Sequence, residues 1–266
     1  MNTARIAALL EPFLETSLNP SQLDQISTYI DLLLRWNARI NLTAIRNEEE
    51  IVTRHFGESF FLARHVFPTK TPCHPERSQD MREAHVSAES KDPYLSTTVG
   101  TQGDGATGVP ARPPFAGNWA PGTGHCPPRV LDIGSGAGFP ALPLKIYAPD
   151  IHLTLIESNH KKAAFLREVA RALTSTNINV ITERAETLAR SQDIPRAEVV
   201  TLRAVEHFEA ILPVAVTFLA DQAILALLIG ATQLPQVSAA TSLNWHQPIN
   251  IPKSHSRILL LGYPSK

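Results

Sequence analysis

The sequence predicts an α/β fold: a mostly parallel sheet with helices on both faces, preceded by an N-terminal helical extension. Three observations carry this. Apolar residues recur at helical spacing before residue 68. Short apolar runs alternate with helical stretches after residue 128. Between them lies a segment with the composition of neither. Strands that alternate with helices build right-handed βαβ units, and these place helices on both faces of a parallel sheet.

The elements follow in order. A first helix is expected from Thr3 to Leu14. A second carries Leu23, Ile26, Tyr29, Ile30, Leu33 and Leu34 at i, i+3, i+4, i+7 spacing, with Asn19 or Ser21 as its cap. A third starts at Asn47, with Glu50 three residues on as a variant capping box, and runs to about Phe67. Residues 69–128 hold 9 of the 21 prolines and 7 of the 13 glycines, and only five Leu, Ile, Val or Phe. Burial there cannot offset the entropy of ordering, so this segment is expected to be a disordered insert. After it, Arg129–Ile133, His152–Ile156, Ile178–Ile181, Glu198–Leu202 and Ala223–Leu228 read as strands. Helices are expected over 141–148, Asn159–Leu173 and Phe208–Ala220. Ile249–Ile251 and Arg257–Leu261 have no helix before them, which predicts an antiparallel edge. The chain thus divides into 1–68, 69–128 and 129–266.

Composition excludes several classes. With 24 basic and 25 acidic residues the net charge is −1, so a globally cationic nucleic-acid coat is ruled out, though not a local basic face. Two cysteines exclude a disulfide scaffold. The apolar run Ala7–Leu10 is soon broken by Glu11, Pro12 and Glu15, unlike a signal peptide, so a cytoplasmic protein is expected. Ile211–Gly230 contains Pro213 and, at its middle, Asp221 and Gln222. Charge there is costly in a bilayer, so a buried helix followed by a buried strand is expected, with no membrane partner.

The chemistry concentrates in Val130-Leu131-Asp132-Ile133-Gly134-Ser135-Gly136-Ala137-Gly138-Phe139-Pro140. In open α/β sheets ligands sit beyond the carboxyl ends of the strands, where glycines let backbone approach them. The spacing here is G-x-G-x-G, and Phe139 takes the place of the third glycine of the dinucleotide fingerprint. This disfavours a pyrophosphate site and leaves a pocket for a nucleoside without phosphates, such as S-adenosylmethionine, or a bare tight turn. Glu157 ends the second strand 23 residues after Gly134, where a carboxylate can accept hydrogen bonds from ribose hydroxyls. Arg184-Ala185-Glu186 follows the third strand and offers amides and a carboxylate to an adenine edge, or caps a short helix. Arg203 ends the fourth strand, where a guanidinium can hold a carboxylate or steer an anionic substrate.

As an ordered set these residues resemble the small-subunit ribosomal RNA methyltransferase G family, also called glucose-inhibited division protein B. The matching residues include Arg35-Trp36-Asn37 with Asn41-Leu42-Thr43, and Arg54-His55 with Glu58-Ser59. The glycine loop through Pro143-Leu144, then Lys161-Lys162, Arg184-Ala185-Glu186 and Arg203-Ala204, continues the pattern in order. The resemblance implies a Rossmann-like S-adenosylmethionine-dependent methyltransferase fold. It implies methyl transfer from S-adenosylmethionine to ring nitrogen 7 of a guanine in 16S rRNA of the small ribosomal subunit. It also implies that Gly134, Phe139, Ala185, Glu186 and Arg203 contact the cofactor. Gly136 and Glu157 join them on the residue-level reading, and Arg203 is the candidate catalytic residue. A monomer is expected.

The chain departs from the family pattern in three places. Ala141 replaces a glycine after the loop proline, Ile229 stands where a lysine usually precedes Gly230, and the insert is long. The Ile229 departure keeps a non-catalytic RNA or ribosome binder open, and a methyltransferase for a small molecule, with the N-terminal helices as a lid, is the other alternative. Arg35, Arg39, Arg46, Arg54, Lys161, Lys162, Arg167 and Arg171 are candidate phosphate contacts. Cys73-His74 and His125-Cys126 lack the spacing of a zinc site, and no metal is expected. Trp36 is expected to pack, and His55 to be a satisfied polar residue at a domain contact.

Overall fold

A computed structural model describes residues 1–67, 127–204 and 208–265. The first helix, α1 (Thr3–Leu10), is capped by the Asn2 side chain and leads into a 3-10 turn over Glu11–Phe13. In α2 (Pro20–Ile40), Asn19 and Gln22 form a reciprocal capping box and Pro20 sits at the first turn, where its missing N–H costs nothing. The helix that starts at Asn47 is not uniform. It runs through α3 (Glu48–Glu50), a π-helical turn over Ile51–Gly57, and α4 (Glu58–Val66). The π turn carries Arg54 and His55, in keeping with the tendency of such turns to mark functional sites.

The remaining elements alternate. They are β1 (Arg129–Ile133), α5 (Ala141–Tyr147), β2 (His152–Ile156), α6 (His160–Ala172), β3 (Ile178–Ile181), α7 (Ala185–Ser191), β4 (Ala197–Arg203), α8 (Phe208–Thr217) and β5 (Leu219–Gly230). Then come α9 (Leu234–Ala240), β6 (Asn244–Trp245), β7 (Ile249–Asn250) and β8 (Arg257–Tyr263). The sheet order is β3-β2-β1-β4-β5-β8-β6, with β7 also paired to β8. The first five strands are parallel and β8 runs antiparallel to β5, as expected, although not for want of a helix between them. One helix, α9, does follow β5; its Leu-Pro-Gln-Val-Ser-Ala-Ala sequence is too short to show helical periodicity.

Alternate residues of each strand feed two cores. Val130, Leu153, Val199, Ile224 and Leu259 face one cluster, which contains the buried residues of α1, α2, α4, α5 and α6. Leu131, Val200, Leu225 and Leu260 face the other, with α7, α8 and α9. Both faces are therefore covered, and the central strands read as continuous apolar runs. The Ile211–Gly230 tract is a helix followed by a strand, and among the described residues no helix is long and apolar enough to cross a membrane. Of the Pro/Gly-rich segment, only Pro127 and Pro128 fall within the described residues.

The N-terminal extension grips the glycine loop. The Tyr29 hydroxyl donates to the Ala137 carbonyl at 2.5 Å, and the Tyr29 ring stacks on Phe139 at 5.2 Å. Gly138 makes this approach possible. Its φ is +87°, and a Cβ there would lie within 3 Å of both the Tyr29 hydroxyl and Leu142. Trp36 packs on Phe165 and donates to Glu168 at 3.1 Å, fixing α2 to α6.

Gly138→Ala is expected to cost about 2–4 kcal/mol, combining left-handed backbone strain with overpacking. Tyr29→Phe in the same chain should return part of that loss by removing the clashing oxygen. Denaturant unfolding of the two single variants and the double variant measures this. Strict additivity would show that the clash is not with Tyr29.

Candidate active site

The glycine loop leaves the carboxyl end of β1 and turns back with Gly134, Gly136 and Gly138 all at positive φ. Two amides of the turn, those of Gly134 and Ser135, donate to the Ile156 carbonyl at the end of β2. At Gly136 an added Cβ would meet nothing closer than 3.7 Å, so this backbone opens onto free space. That space is a cavity of about 780 Å³, within the range of small-molecule sites. Its lining includes every residue assigned from the sequence: Gly134, Gly136, Phe139, Glu157, Ala185, Glu186 and Arg203.

Glu157 is buried, and its carboxylate accepts from the Gly136 and Asn159 amides, each at 2.8 Å. It therefore shapes the loop besides lining the cavity, and keeps further lone pairs for another donor. Ala185 and Glu186 open α7, with Arg184 at its N-cap position, and both residues also line the cavity. Phe139 is 6% exposed, stacked on both Tyr29 and His55 and met edge-on by Phe56. Much of its ring is thus committed to packing.

Arg203 lies deeper than a strand terminus facing solvent. Its side chain is 9% exposed and pairs with Glu58 at 3.0 Å, while Nη2 also donates to the Arg54 carbonyl. Burial lowers its pKa to about 10, which still leaves it charged at neutral pH. Its Nη1 is buried without a partner. Arg257 pairs with the same Glu58, at 2.9 Å. One buried carboxylate on α4 thus joins the ends of β4 and β8.

His55 is less satisfied than expected. Nε2 bonds Thr43 Oγ1 at 2.8 Å, and Nδ1 is buried without a partner. Thr43 is in turn clamped by Asn37, whose amide donates to the Thr43 carbonyl and accepts from its N–H, both at 2.9 Å. Burial and the guanidinium charges of Arg203, Arg54 and Arg257 push the imidazole down to about 2, so His55 is neutral. Asp132 is buried at the end of β1. It accepts from Thr201 at 2.5 Å, and burial pushes its carboxyl up to about 7.

The expected basic residues separate. Arg35, Arg39, Arg46, Arg54, Lys161 and Arg171 are exposed, and Lys162 lines the cavity. Arg167 is committed to β3, donating to the Val180 carbonyl and to Thr182. Ile229 is buried within the sheet and offers no cation. Among the described residues no cluster of His, Cys, Asp or Glu could hold a metal, and the Cys73-His74 and His125-Cys126 pairs lie outside those residues. Sequence reasoning missed four site residues. Tyr29 looked like one more apolar helix position, and Arg257 like the solvated start of a strand. Thr43 and Glu58 were visible as motif members without roles.

A doubly wound sheet with a glycine loop after β1, an acid after β2 and an open cavity at the strand ends defines a Rossmann-like fold of the methyltransferase type. The chain belongs to the rRNA small subunit methyltransferase G family, whose model matches residues 22–73 and 123–257. It is 35% identical over 189 residues to a ribosomal RNA small subunit methyltransferase G of Roseiflexus castenholzii, covering 71% of this chain and 56% of that relative. The match thus spans little more than half the length of the Roseiflexus protein. Proteins of the same name from Chloroflexus aggregans and Xylella fastidiosa are 30% and 29% identical. Those matches cover 92% and 95% of this chain, and 82% and 94% of the relatives.

Asp132 and His55 should tilt stability with pH in opposite senses. Between about pH 3.8 and 6.5, His55 binds a proton only when unfolded, so it makes stability rise with pH. Asp132 binds one only when folded, from its ordinary value of 3.8 up to about 7, so it makes stability fall with pH. Asp132→Asn should expose the rising slope and His55→Gln the falling one, each up to about 1.4 kcal/mol per pH unit. Denaturant titrations of both variants across that window check it, and slopes of one sign in both would refute the pairing.

Proposed function

We propose that this protein transfers a methyl group from S-adenosylmethionine to nitrogen 7 of a guanine in 16S rRNA, acting as a cytoplasmic monomer on the small ribosomal subunit. The observation that carries the reading is membership of the family together with a cavity lined by its expected cofactor residues. The residues present fit the cofactor. Gly136 offers open backbone, Glu157 spare carboxylate lone pairs and Arg203 an unpartnered buried nitrogen.

When bound, S-adenosylmethionine supplies a methyl group on a sulfonium, an electrophile that needs no further activation. Guanine nitrogen 7 carries its lone pair at neutral pH, so the chain needs no general base. The absence of a His-Asp or Ser-His relay among the lining residues agrees with this. What the chain must supply is alignment and exclusion of water, and positioning of this kind is worth roughly 7–11 kcal/mol.

Glu157 and Gly136 would hold the ribose, and Ala185 with Glu186 the adenine edge. Arg203 would hold the carboxylate of the amino-acid end through its unpartnered Nη1, in a charge-assisted hydrogen bond. Phe139, wedged between Tyr29 and His55, would set the floor. The exposed arginines of α2 and of the segment that follows it would meet RNA phosphates.

Incubation with labelled S-adenosylmethionine and small subunits from cells lacking this protein should place label in 7-methylguanosine after nucleoside digestion. Bound cofactor with no label in RNA would favour the non-catalytic binder, and label in a small acceptor the third reading. Arg203→Lys keeps the charge beside Glu58 but loses the separate Nη1 donor. It should weaken cofactor binding about tenfold or more while the fold persists. Calorimetric titration measures it, and an unchanged affinity would remove Arg203 from the cofactor site.

A further inference from the structure

The lining of the cavity falls into two groups. One is the glycine loop bonded to Glu157, with the start of α7 lining the same end. The other joins Thr43, Arg54, His55, Arg203 and Arg257, tied together through Thr43–His55 and through Glu58. The first group would hold the nucleoside part of the cofactor, and Arg203 its carboxylate. The rest of the second group, with Arg257 at its far edge, is a cationic end that the cofactor does not use.

Its charge balance is uneven. Glu58, 3% exposed, is shared by two guanidiniums. Arg257 spends Nε on Glu58 and Nη2 on the Leu228 carbonyl at 3.3 Å. Among the described residues Nη1 has no partner, and the side chain is 20% exposed and lines the cavity. With Arg54 paired to Glu50, the two guanidiniums around Glu58 leave one positive charge at this end, and the unpartnered donors are the buried Nη1 of Arg203 and the more exposed Nη1 of Arg257. Strand order separates Arg257 from the glycine loop. It sits on β8, opposite Gly230 of β5, and β4 and β5 lie between β8 and β1. At about 4.8 Å per strand that is roughly 14 Å, beyond the reach of an arginine side chain to the loop.

We propose that Arg257 is an oxyanion-binding residue at the acceptor end of the cavity, where it contacts an RNA phosphate beside the target nucleotide. This rests on the rRNA methyltransferase reading. Glu58 acts as a positioning residue, holding the guanidinium by Nε so that Nη1 points away from the pair. The cation for this end of the sheet then comes from β8, not from β5, where Ile229 is buried.

The test measures affinity of the full-length protein for unmodified small subunits against salt, for wild type, Arg257→Ala and Arg257→Lys. Binding of S-adenosylmethionine and of methylthioadenosine, which lacks the amino-acid end, is measured on the same proteins. The expected result is about tenfold weaker subunit binding for Arg257→Ala. Its log–log salt slope should be smaller by about one, the slope should be regained in Arg257→Lys, and both nucleosides should bind as in wild type. An unchanged subunit affinity and slope overturns the proposal. Loss of S-adenosylmethionine alone, with methylthioadenosine retained, also overturns it and assigns Arg257 to the cofactor carboxylate. Loss of both nucleosides overturns it in favour of a purely structural anchor for Glu58. Wild-type protein that binds neither subunits nor S-adenosylmethionine would instead sink the reading on which the proposal rests.

Discussion

The hydrogen bond from the Tyr29 hydroxyl to the Ala137 carbonyl is the contact on which the site depends. It is buried, it joins residues more than a hundred positions apart, and it exists only because Gly138 has no side chain to fend off the ring. A buried acceptor left without its donor costs about 1–3 kcal/mol, so the loop and α2 hold each other in register. Phe139 then has a defined place, stacked on Tyr29 and His55, and the backbone between Gly134 and Gly138 is pinned from both sides by Tyr29 and Glu157. The loop's glycines give it freedom, and the N-terminal helices remove that freedom where the ligand needs a fixed surface.

Glu58 plays the matching part at the other end. A single carboxylate in the apolar interior would be costly, and so would a single guanidinium. Two guanidiniums around one carboxylate leave a net charge that is held in place by packing and is only partly neutralised. Burial also keeps His55 neutral next to these cations, so the imidazole adds a donor or acceptor to the cavity without adding charge. The extension thus contributes chemistry as well as cover, through Thr43, Arg54, His55 and Glu58.

Most of the architecture was legible in the sequence because both faces of the sheet are covered. The run Ile224–Ile229 is apolar throughout, Val130–Ile133 is apolar apart from Asp132, and the loop that follows β1 announces itself by glycine spacing. The expected strands of the sheet appear close to their read boundaries, with β5 longer than Ala223–Leu228 at both ends because its edges pair with Ala197 and Arg257. Helix α9 was not read as an element, and α7 only as one of two alternatives, the start of a short helix at Arg184-Ala185-Glu186. The site was legible where a residue type is tied to a strand end, as with Glu157 and Arg203. It was not legible where a role depends on pairing across the fold. Nothing in Ser254-His255-Ser256-Arg257 shows that Arg257 will share Glu58, 199 positions away. Nothing in an amphipathic helix tells Tyr29 from any other apolar position.

The π turn over Ile51–Gly57 works like a vernier between two scales. An α-helix advances about 100° per residue, so a uniform helix from Glu48 to Val66 would lock the angle of Arg54 and His55 to that of Phe60 and Phe61. Widening one turn breaks that lock. The upstream residues can be aimed at the cavity while the downstream ones stay seated in the core. A single-residue deletion within the turn would restore regular winding and swing one of the two sets out of line. This stretch should therefore tolerate changes of side chain far better than changes of length.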